Sequence, residues 1–482
     1  MDYETIIGLE VHAQLKTQSK MYCGCSADYA FAPPNTHVCT VCLGLPGVLP
    51  VINQRAIKFT IMTGLALNCT VAEETRFDRK NYSYPDLMKG YQISQSYQPI
   101  AKTGYLTIEV DGASRRIGVN HVHLEEDVAK LLHRASIGES YSLVDVNRSG
   151  APLMEVVSEP DLRSPEEARQ YLVKLRSILR YIDVSTANME EGSFRCDANI
   201  SIRPVGATEL GPKVEVKNLN SFKAVYLAME YEAQRQRRAA AESERLVQET
   251  RGWLDDQGKT VSQRSKEYAH DYRYFPEPDL PPLAISRQWV DEIKARLPEL
   301  PEAKRERFMA QYGLPAYDAA LLTGSRAMAD YFETVTKEAG PPKDVGNWLL
   351  GPVSAIVNSN NIDIADFAAK VPTGALAGLL TLEAKKAIST ATAKQVLEEM
   401  FRAGKSAAEI VAEKGLAQIV DSQAIEEAVA QAVESNPQAV KDFHAGKESA
   451  LKFLVGQVMR ATRGRANPQM VNDLLKKKLA GE

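Results

Sequence analysis

Two segments of the chain alternate strictly between apolar and polar residues, and this feature constrains the fold most. Successive side chains of a β-strand point to opposite faces, so each segment predicts a strand with one apolar and one polar face. In residues 193–203 the polar face carries Ser193, Arg195, Asp197, Asn199, Ser201 and Arg203. In residues 6–15 it carries Gly8, Glu10, His12 and Gln14. Such strands are typical of a sheet that buries only one side.

Carboxylates and imidazoles recur in other segments of this type. Strand alternation in residues 119–127 places four such groups on one face, His121, His123, Glu125 and Asp127. Glu155 stands between apolar neighbours, and Glu190 directly precedes the segment 193–203. Carboxylates brought together repel one another, so they need bound metal or Lys and Arg partners. Oxygen ligands with one imidazole suit Mg²⁺ or Mn²⁺, and salt-bridged structural strands are the alternative.

Basic residues that suit phosphate lie in the segment 76–86. It contains Arg76, Arg79 and Lys80 together with two tyrosines. The chain has neither a GxxxxGKT phosphate loop nor a dinucleotide-binding glycine motif. The residues alone therefore favour a metal-dependent enzyme that acts on phosphates.

Four of the six cysteines form two closely spaced pairs, Cys23 with Cys25 and Cys39 with Cys42. Four thiolates in this spacing can enclose Zn²⁺ and leave no coordination position open, so we predict a structural zinc knuckle at residues 23–42. Redox use or coincidence is the alternative, and His37 is a possible substitute ligand. The isolated Cys69 and Cys196 are expected to be small buried residues.

Composition indicates a soluble chain of several domains. A length of 482 residues is too great for one core, and the formal charge of −4 argues against a generally basic nucleic-acid binder. No secretory signal or membrane-spanning stretch is evident, so we expect a cytoplasmic protein. Helical signals replace strand signals after the proline-rich segment 274–282, which predicts domains at 1–293, 294–404 and 405–482. Two earlier helices are also expected, one capped by Ser164 with Glu167 and one that begins at Ser221.

Several longer motifs resemble those of one family. The motifs are DRKNYSYPD (78–86), KGYQISQ (89–95), HLEEDVAK (123–130), VDVNRSGAPLMEVVSEPD (144–161), MEEGSFRCDANIS (189–201), KNLNSF (217–222), DYRYFPEPDL (271–280), GLPAYDA (313–319), NWLLG (347–351) and FLVGQVMRATRGRANP (453–468). They closely resemble the B subunits of the bacterial tRNA-dependent amidotransferases for Glu-tRNA(Gln) and Asp-tRNA(Asn). The resemblance covers essentially the whole chain.

The resemblance implies an α+β fold: a cradle domain with a mainly antiparallel sheet, then a helical domain and a small all-α tail domain. It implies a heterotrimer of A, B and C subunits, in which the A subunit hydrolyses glutamine. The B subunit would phosphorylate the side-chain carboxylate of Glu-tRNA(Gln) or Asp-tRNA(Asn) with ATP and Mg²⁺, after which ammonia displaces phosphate. The chain lacks the Gly-Gly-Ser-Ser-Gly amidase motif, which agrees with this division of labour.

The resemblance also implies roles for individual residues. The candidate Mg²⁺ ligands are Glu10, His12, Glu125 and Glu155, followed by Glu190 and Glu126. Arg79 and Lys80 are candidates for ATP or acyl-phosphate oxygens, and with Glu10, His12 and Glu125 they form the expected catalytic set. Arg195, Asp197 and Asn199 are expected to position the aminoacyl end, bind the nucleotide or line the ammonia path, with a structural salt-bridge network as the alternative. Residues 441–482 contain nine Lys or Arg against four Asp or Glu, and the candidates for tRNA contact in this basic tail are Lys452, Arg460, Arg463 and Arg465, with a solvated helical surface as the alternative.

Two other functions remain open from sequence. A free-standing ATP-dependent carboxylate-amine ligase would use the same chemistry and would turn over without tRNA. A non-catalytic zinc-containing RNA-binding scaffold would show no change in any reaction rate after Glu10→Ala.

Overall fold

A computed structural model of the chain describes residues 2–136, 139–265, 272–417, 422–462, 466 and 468–480. The chain forms two compact units, Met1–Leu300 and Pro301–Glu482. All of the described strands lie in the first unit, and the second unit is helical. The predicted α+β class, with a mainly antiparallel sheet followed by a helical region, is confirmed. The finer division at residue 404 stays a prediction.

The described residues of the first unit form strands, four helices and a short 3₁₀ helix at Val146–Arg148. The strands are β1 (Tyr3–Gln14), β2 (Thr70–Val71), β3 (Glu74–Thr75), β4 (Asp78–Asn81), β5 (Tyr91–Ser94), β6 (Ala101–Val110), β7 (Ala113–Glu126), β8 (Lys130–Ser136), β9 (Glu139–Asp145), β10 (Pro152–Ser158), β11 (Phe194–Pro204), β12 (Val214–Leu219), β13 (Glu249–Leu254), β14 (Lys259–Ser265), β15 (Phe275–Pro276) and β16 (Leu283–Ala284). The helices are α1 (Gln54–Ala66), α2 (Pro165–Tyr181), α3 (Phe222–Ala241) and α4 (Arg287–Ala295).

One large sheet dominates this unit, with the strand order β14-β13-β12-β11-β1-β10-β7-β6-β2. Among its described strands, only the β12–β13 pair is parallel. Strand β1 pairs with β10 and β11, which places His12 opposite Glu155 on one side and Arg195 on the other. Strand β10 also pairs with β7, which places Glu155 opposite His123. Because cross-strand partners share a face, the register aligns these four polar side chains across four neighbouring strands.

The opposite face of the sheet is the core of the unit. The side chains of Ile7, Leu9, Val11 and Ala13 on β1 are at most 1% exposed. Helices α1, α2 and α3 contact β7, β6 and β11. The alternation in the sequence therefore separates a core face from a polar face, as predicted.

Helix α2 shows how its sequence sets its start. The Ser164 hydroxyl accepts a hydrogen bond from the backbone N–H of Glu167 at 3.1 Å, as the capping pattern predicts. The other half of the predicted capping box does not form, because the Glu167 carboxylate accepts from the backbone N–H of Arg163 and pairs with Arg115. The predicted apolar side of the helix is buried at Leu172, Leu175, Ile178, Leu179 and Ile182.

Where the structure describes it, the second unit forms helices and one π-helical turn at Leu349–Val353. The helices are α5 (Pro301–Tyr312), α6 (Ala316–Leu322), α7 (Arg326–Ala339), α8 (Pro342–Trp348), α9 (Ser354–Ser359), α10 (Ile364–Lys370), α11 (Thr373–Ala384), α12 (Thr390–Ala403), α13 (Ala407–Glu413), α14 (Ser422–Glu434), α15 (Pro437–His444), α16 (Glu448–Ala461) and α17 (Pro468–Ala480). Helices α5–α13 enclose one apolar cluster around Phe332 and Phe367, and α14–α17 enclose another around Leu454 and Leu475. Among the described residues, no helix has the length and hydropathy needed to cross a bilayer.

Candidate functional site

Three side chains on the polar face of the sheet converge on one point. His12 comes from β1, Glu125 from β7 and Glu155 from β10. His12 Nε2 lies 3.6 Å from Glu125 Oε1 and 3.5 Å from Glu155 Oε2. The Glu125 side chain is only 4% exposed, and its carboxylate also accepts a hydrogen bond from the Ser94 hydroxyl at 3.4 Å. We call these three residues the carboxylate–histidine cluster.

The electrostatics of the cluster favour a cation. Burial by itself lowers the pKa of His12, but the charges of Glu155 and Glu125 outweigh burial and raise the pKa to about 9. Burial would raise the pKa of Glu155, but His12 and His123 hold it well below its usual value. A positive charge between the two carboxylates therefore stabilises both of them.

The geometry of the cluster fits a small divalent metal. Neighbouring ligands around Mg²⁺ at bond lengths of about 2.1 Å are roughly 3 Å apart. The observed separations of 3.5 and 3.6 Å need only a small inward movement of the side chains. Carboxylate oxygens with one imidazole nitrogen are also an appropriate donor set for Mg²⁺ or Mn²⁺.

His123 contacts this cluster, although it was not among the candidate ligands predicted from the sequence. Its Nε2 lies 3.2 Å from Glu155 Oε2, and its ring stacks on His121 at a centroid distance of 5.2 Å. Burial and the neighbouring His123 lower the pKa of His121 to about 4. Strand alternation in residues 119–127 had already placed His123 on the face of Glu125, and that signal was sufficient to include it.

Lys80 on β4 lies close to the same carboxylates. Burial would lower the pKa of its ammonium, but Glu125, Tyr274 and Glu155 raise it above its usual value. Its Nζ lies 5.0 Å from the ring centroid of Tyr272 and 5.8 Å from that of Tyr82. No carboxylate of the described residues is within ion-pair distance of Lys80. Tyr82 is one of the two tyrosines noted in the segment 76–86, whereas Tyr272 of the motif 271–280 was not singled out, because a tyrosine side chain matches no metal-ligand pattern.

Arg79 is not part of this arrangement, although it precedes Lys80 in the chain. Its guanidinium makes two hydrogen bonds to the buried carboxylate of Glu277, at 2.7 and 2.8 Å, and a third to Asp279 at 3.2 Å. It also lies 4.3 Å from the ring centroid of Tyr91. Neighbouring residues of a strand point to opposite sides, so β4 directs only one of its two cations to the cluster.

Glu10 and Asn199 lie further along the polar face. Asn199 Nδ2 donates a hydrogen bond of 2.8 Å to Glu10 Oε1, so these two candidate residues contact each other directly. Glu10 is opposite Asp197 in the sheet, and Asp197 pairs with Lys217. Within the described part of the chain, Glu10 does not join the carboxylate–histidine cluster.

Two other candidate ligands are also outside the cluster. The side chains of Glu126 and Glu125 point to opposite sides of β7. The Glu126 carboxylate accepts a hydrogen bond of 3.0 Å from the backbone N–H of Ile93 and forms an ion pair with Lys89. Glu190 is exposed in the loop that precedes β11. The structure therefore brings together His12, Glu125 and Glu155 and leaves the remaining predicted ligands apart.

The four paired cysteines form a second cluster. Cys42 Sγ lies 3.5 Å from Cys23 Sγ, 3.7 Å from Cys39 Sγ and 3.8 Å from Cys25 Sγ. A tetrahedral zinc site with bonds of about 2.3 Å requires sulfur separations of about 3.8 Å, so the residues fit Zn²⁺. His37 does not belong to this cluster, and Cys69 and Cys196 are buried in the core as expected.

A fully buried lysine accompanies the cysteines. Lys20 Nζ donates to the backbone carbonyl of His37 at 2.7 Å and lies 3.5 Å from Cys42 Sγ. A hydrogen bond from Cys23 and the charge of Lys20 lower the pKa of the Cys42 thiol despite its burial. The burial of Lys20 was not predicted from the sequence, because an isolated lysine belongs to no pattern that indicates burial.

Comparison with known proteins identifies the family of the chain. Residues 5–291 match the family described as the GatB/GatE catalytic domain, and residues 330–479 match the GatB domain. The B subunit of an aspartyl/glutamyl-tRNA(Asn/Gln) amidotransferase from Dehalococcoides mccartyi (strain CBDB1) is 60% identical, with 99% of each chain covered. Proteins of the same name from Thermomicrobium roseum and Carboxydothermus hydrogenoformans are 55% and 53% identical over 99% of each chain. The resemblance seen in the sequence motifs is confirmed, and the chain belongs to the family of aspartyl/glutamyl-tRNA(Asn/Gln) amidotransferase B subunits.

Proposed function

We propose that this chain activates the side-chain carboxylate of glutamate or aspartate esterified to tRNA, using ATP and Mg²⁺, and that ammonia then forms the amide. The observation that carries the proposal is the carboxylate–histidine cluster with the ammonium of Lys80 beside it. The names of the relatives, which specify tRNA(Asn/Gln) and one component of an amidotransferase, support the choice of substrate.

The chemistry requires two steps. A carboxylate is a poor electrophile because oxide cannot leave, so a carboxylate oxygen first attacks the γ-phosphorus of ATP and ADP departs. Ammonia then attacks the carbonyl carbon of the acyl phosphate, the carbon–oxygen bond to phosphate breaks, and the nitrogen loses a proton. Bound Mg²⁺ supplies neutralisation of the phosphate charge during transfer.

The residues of the chain divide this work. We propose that His12, Glu125 and Glu155 hold the metal and that Lys80 binds the transferring phosphoryl oxygens. Arg195, which is opposite His12 in the sheet, is suited to bind a carboxylate or phosphate oxygen of the substrate. We assign Glu10 and Asn199 to the region that receives the aminoacyl group and ammonia. The contacts of Arg79 favour a structural role, and the exposed position of Glu190 gives no support for metal binding.

The remaining expectations concern partners and zinc. We infer that two further chains, the glutaminase (A) and C subunits, complete the enzyme, that the four cysteines hold structural Zn²⁺, and that the enzyme acts in the cytoplasm. Lys452 and Arg460 are exposed on α16 and are candidates for contact with tRNA phosphates. Arg463 and Arg465, the other two tail candidates, lie outside the described residues.

The direct test uses the chain reconstituted with its A and C subunits and ammonium as nitrogen donor, so that glutaminase activity is not needed. Glu155→Gln keeps the size of the side chain and removes its charge, and Glu74→Gln changes an exposed residue of β3 as the matched control. We expect Glu155→Gln to lose about 100-fold or more of the Mg²⁺- and ATP-dependent conversion of Glu-tRNA(Gln), with tRNA binding retained. Wild-type rates in Glu155→Gln would refute the metal assignment.

The same assay separates the other functions. Turnover of free glutamate without tRNA would favour a free-standing ligase. A wild-type complex that binds tRNA but converts neither Glu-tRNA(Gln) nor Asp-tRNA(Asn) would favour a non-catalytic scaffold.

A further inference from the structure

The segment between the two cysteine pairs lies against the polar face of the sheet. We call residues 26–38 the cysteine loop. Its Tyr29 is half-buried, and the tyrosine hydroxyl lies 2.7 Å from Nε2 and 2.9 Å from Oε1 of Gln14. Gln14 is on the same face of β1 as His12, two residues further along. The cysteine loop therefore contacts the strand that carries the imidazole of the carboxylate–histidine cluster.

Gln14 extends this contact to a buried carboxylate. Its Nε2 donates a hydrogen bond of 2.7 Å to Asp127 Oδ2, and Arg195 Nη2 donates to the same oxygen at 2.7 Å. The Asp127 side chain is only 2% exposed. Burial would raise its pKa, but the charges of Arg195 and Arg148 hold the pKa low. Asp127 is thus an ionised, buried anchor for the guanidinium of Arg195.

A second set of contacts joins the cysteine loop to the same anchor. The backbone N–H of His37 donates to Asn147 Oδ1 at 2.8 Å, and Asn147 Nδ2 donates to the carbonyl of Pro33 at 2.8 Å. Arg148, the next residue, places its Nε 3.6 Å from Asp127 Oδ1. The two oxygens of Asp127 are therefore restrained by two separate connections to the cysteine loop.

Arg195 is the last residue in this series of hydrogen bonds, and its guanidinium is suited to binding a ligand. It is opposite His12 in the sheet, and 36% of its side chain is exposed. A guanidinium offers five N–H donors in a rigid plane, which suits the paired oxygens of a carboxylate or phosphate. Holding one edge of that plane on a buried carboxylate sets the direction of the other donors.

We propose that the cysteine loop is a positioning element for Arg195 and that Tyr29 is the residue through which it acts. The proposal rests on the proposed function, in which Arg195 binds an oxygen anion of the substrate. Removal of the Tyr29 hydroxyl frees the Gln14 amide to rotate, which takes Nε2 away from Asp127. A misplacement of a substrate-binding group by about 1 Å costs up to about 100-fold in rate. The zinc knuckle would then contribute to catalysis through hydrogen bonds, at a distance from the reacting atoms.

The first test measures Arg195 itself and needs no turnover. In the full chain labelled with ¹⁵N-arginine, the Nε–H resonance of Arg195 is assigned by its absence from Arg195→Lys. Tyr29→Phe removes only the hydroxyl, and Tyr141→Phe, at a half-exposed position of β9, is the matched control. We expect Tyr29→Phe and removal of zinc with a chelator to shift or broaden this resonance, and Tyr141→Phe to leave it unchanged. An unchanged resonance in Tyr29→Phe would overturn the proposal.

The second test measures catalysis in the reconstituted complex. We expect Tyr29→Phe to lose about 10- to 100-fold in kcat/KM, and the Tyr29→Phe/Arg195→Lys double variant to lose no more than Arg195→Lys alone. If the losses in kcat/KM of the two single variants multiply in the double variant, Tyr29 acts independently of Arg195. If Tyr29→Phe loses zinc, Tyr29 acts on the metal site. Either result overturns the proposal. If the resonance responds as expected but wild type forms no product, the proposed function fails while the positioning role of the loop stands.

Discussion

Replacement of Lys20 by methionine tests whether the cysteine cluster is built to carry negative charge. Lys20 is fully buried, and its ammonium lies 3.5 Å from the sulfur of Cys42. Methionine retains the length of the lysine stem and removes the charge, so the packing of the site is largely preserved.

The expected effect follows from the charges at the site. At an effective dielectric constant of about 20, an ammonium and a thiolate at this distance attract by about 5 kcal/mol. Without metal, the lowered pKa of the Cys42 thiol places about one negative charge at this sulfur. Four thiolates around Zn²⁺ carry a net charge of about −2. Metal binding therefore adds about one negative charge to the site, at roughly 6 Å from the Lys20 ammonium, and strengthens the attraction by about 3 kcal/mol. Lys20→Met should therefore weaken zinc binding about 100-fold.

The assay is competition for Zn²⁺ between the protein and a chromophoric chelator at neutral pH. Cobalt substitution, read by the thiolate-to-metal charge-transfer band, checks that four sulfurs still bind in the variant. Lys16→Met is the matched control, since Lys16 is half-exposed and pairs with Asp183. A zinc dissociation constant for Lys20→Met within about threefold of wild type would refute the charge argument.

Three further predictions separate function from stability. Lys80→Met should lower kcat for ADP formation about 100-fold or more, because it removes the ammonium beside the carboxylate–histidine cluster; a wild-type kcat would contradict this. Arg79→Met should instead lower the free energy of unfolding in urea by about 3–5 kcal/mol, because buried Glu277 loses its two strongest hydrogen bonds; an unchanged urea midpoint would contradict this. Leu172→Ala, at a fully buried position of α2, should lower the free energy of unfolding by about 2–5 kcal/mol in the same assay. Val173→Ala, at the exposed neighbouring position, should change this free energy by less than about 1 kcal/mol. Equal losses in the two variants would show that burial of one side of α2 does not stabilise the protein.

Local alternation was sufficient to predict which side chains share a face. It separated Ile7, Leu9 and Val11 from Glu10 and His12, and the structure has the first set in the core. Alternation cannot predict which strands are neighbours, because pairing depends on contacts between segments far apart in the chain. His12 lies beside Glu155 because β1 pairs with β10 in this register. The sequence of one strand alone predicts neither the pairing nor the register.

Where two candidate residues are adjacent in the sequence, the sequence does not predict which of them faces the site. Arg79 with Lys80, and Glu125 with Glu126, were both considered as joint candidates, yet a strand directs neighbouring residues to opposite sides. In each pair one residue reaches the cluster, and the other has its own structural partner, Glu277 or Lys89. The period of the strand requires this division, but the sequence does not say which member faces the site.

The partners of buried cations give a physical criterion for separating structural from functional residues. Lys20 has two acceptors, the His37 carbonyl and the Cys42 sulfur, so the protein itself accounts for its burial. Arg79 is likewise satisfied by Glu277 and Asp279. Lys80 differs, because in the described part of the chain its ammonium contacts aromatic rings and makes no hydrogen bond to a carboxylate or carbonyl. The charges of Glu125 and Glu155 stabilise this ammonium, but removing an ammonium from water costs several kcal/mol unless hydrogen bonds replace the lost hydration. We therefore propose that an anionic substrate group accepts hydrogen bonds from Lys80.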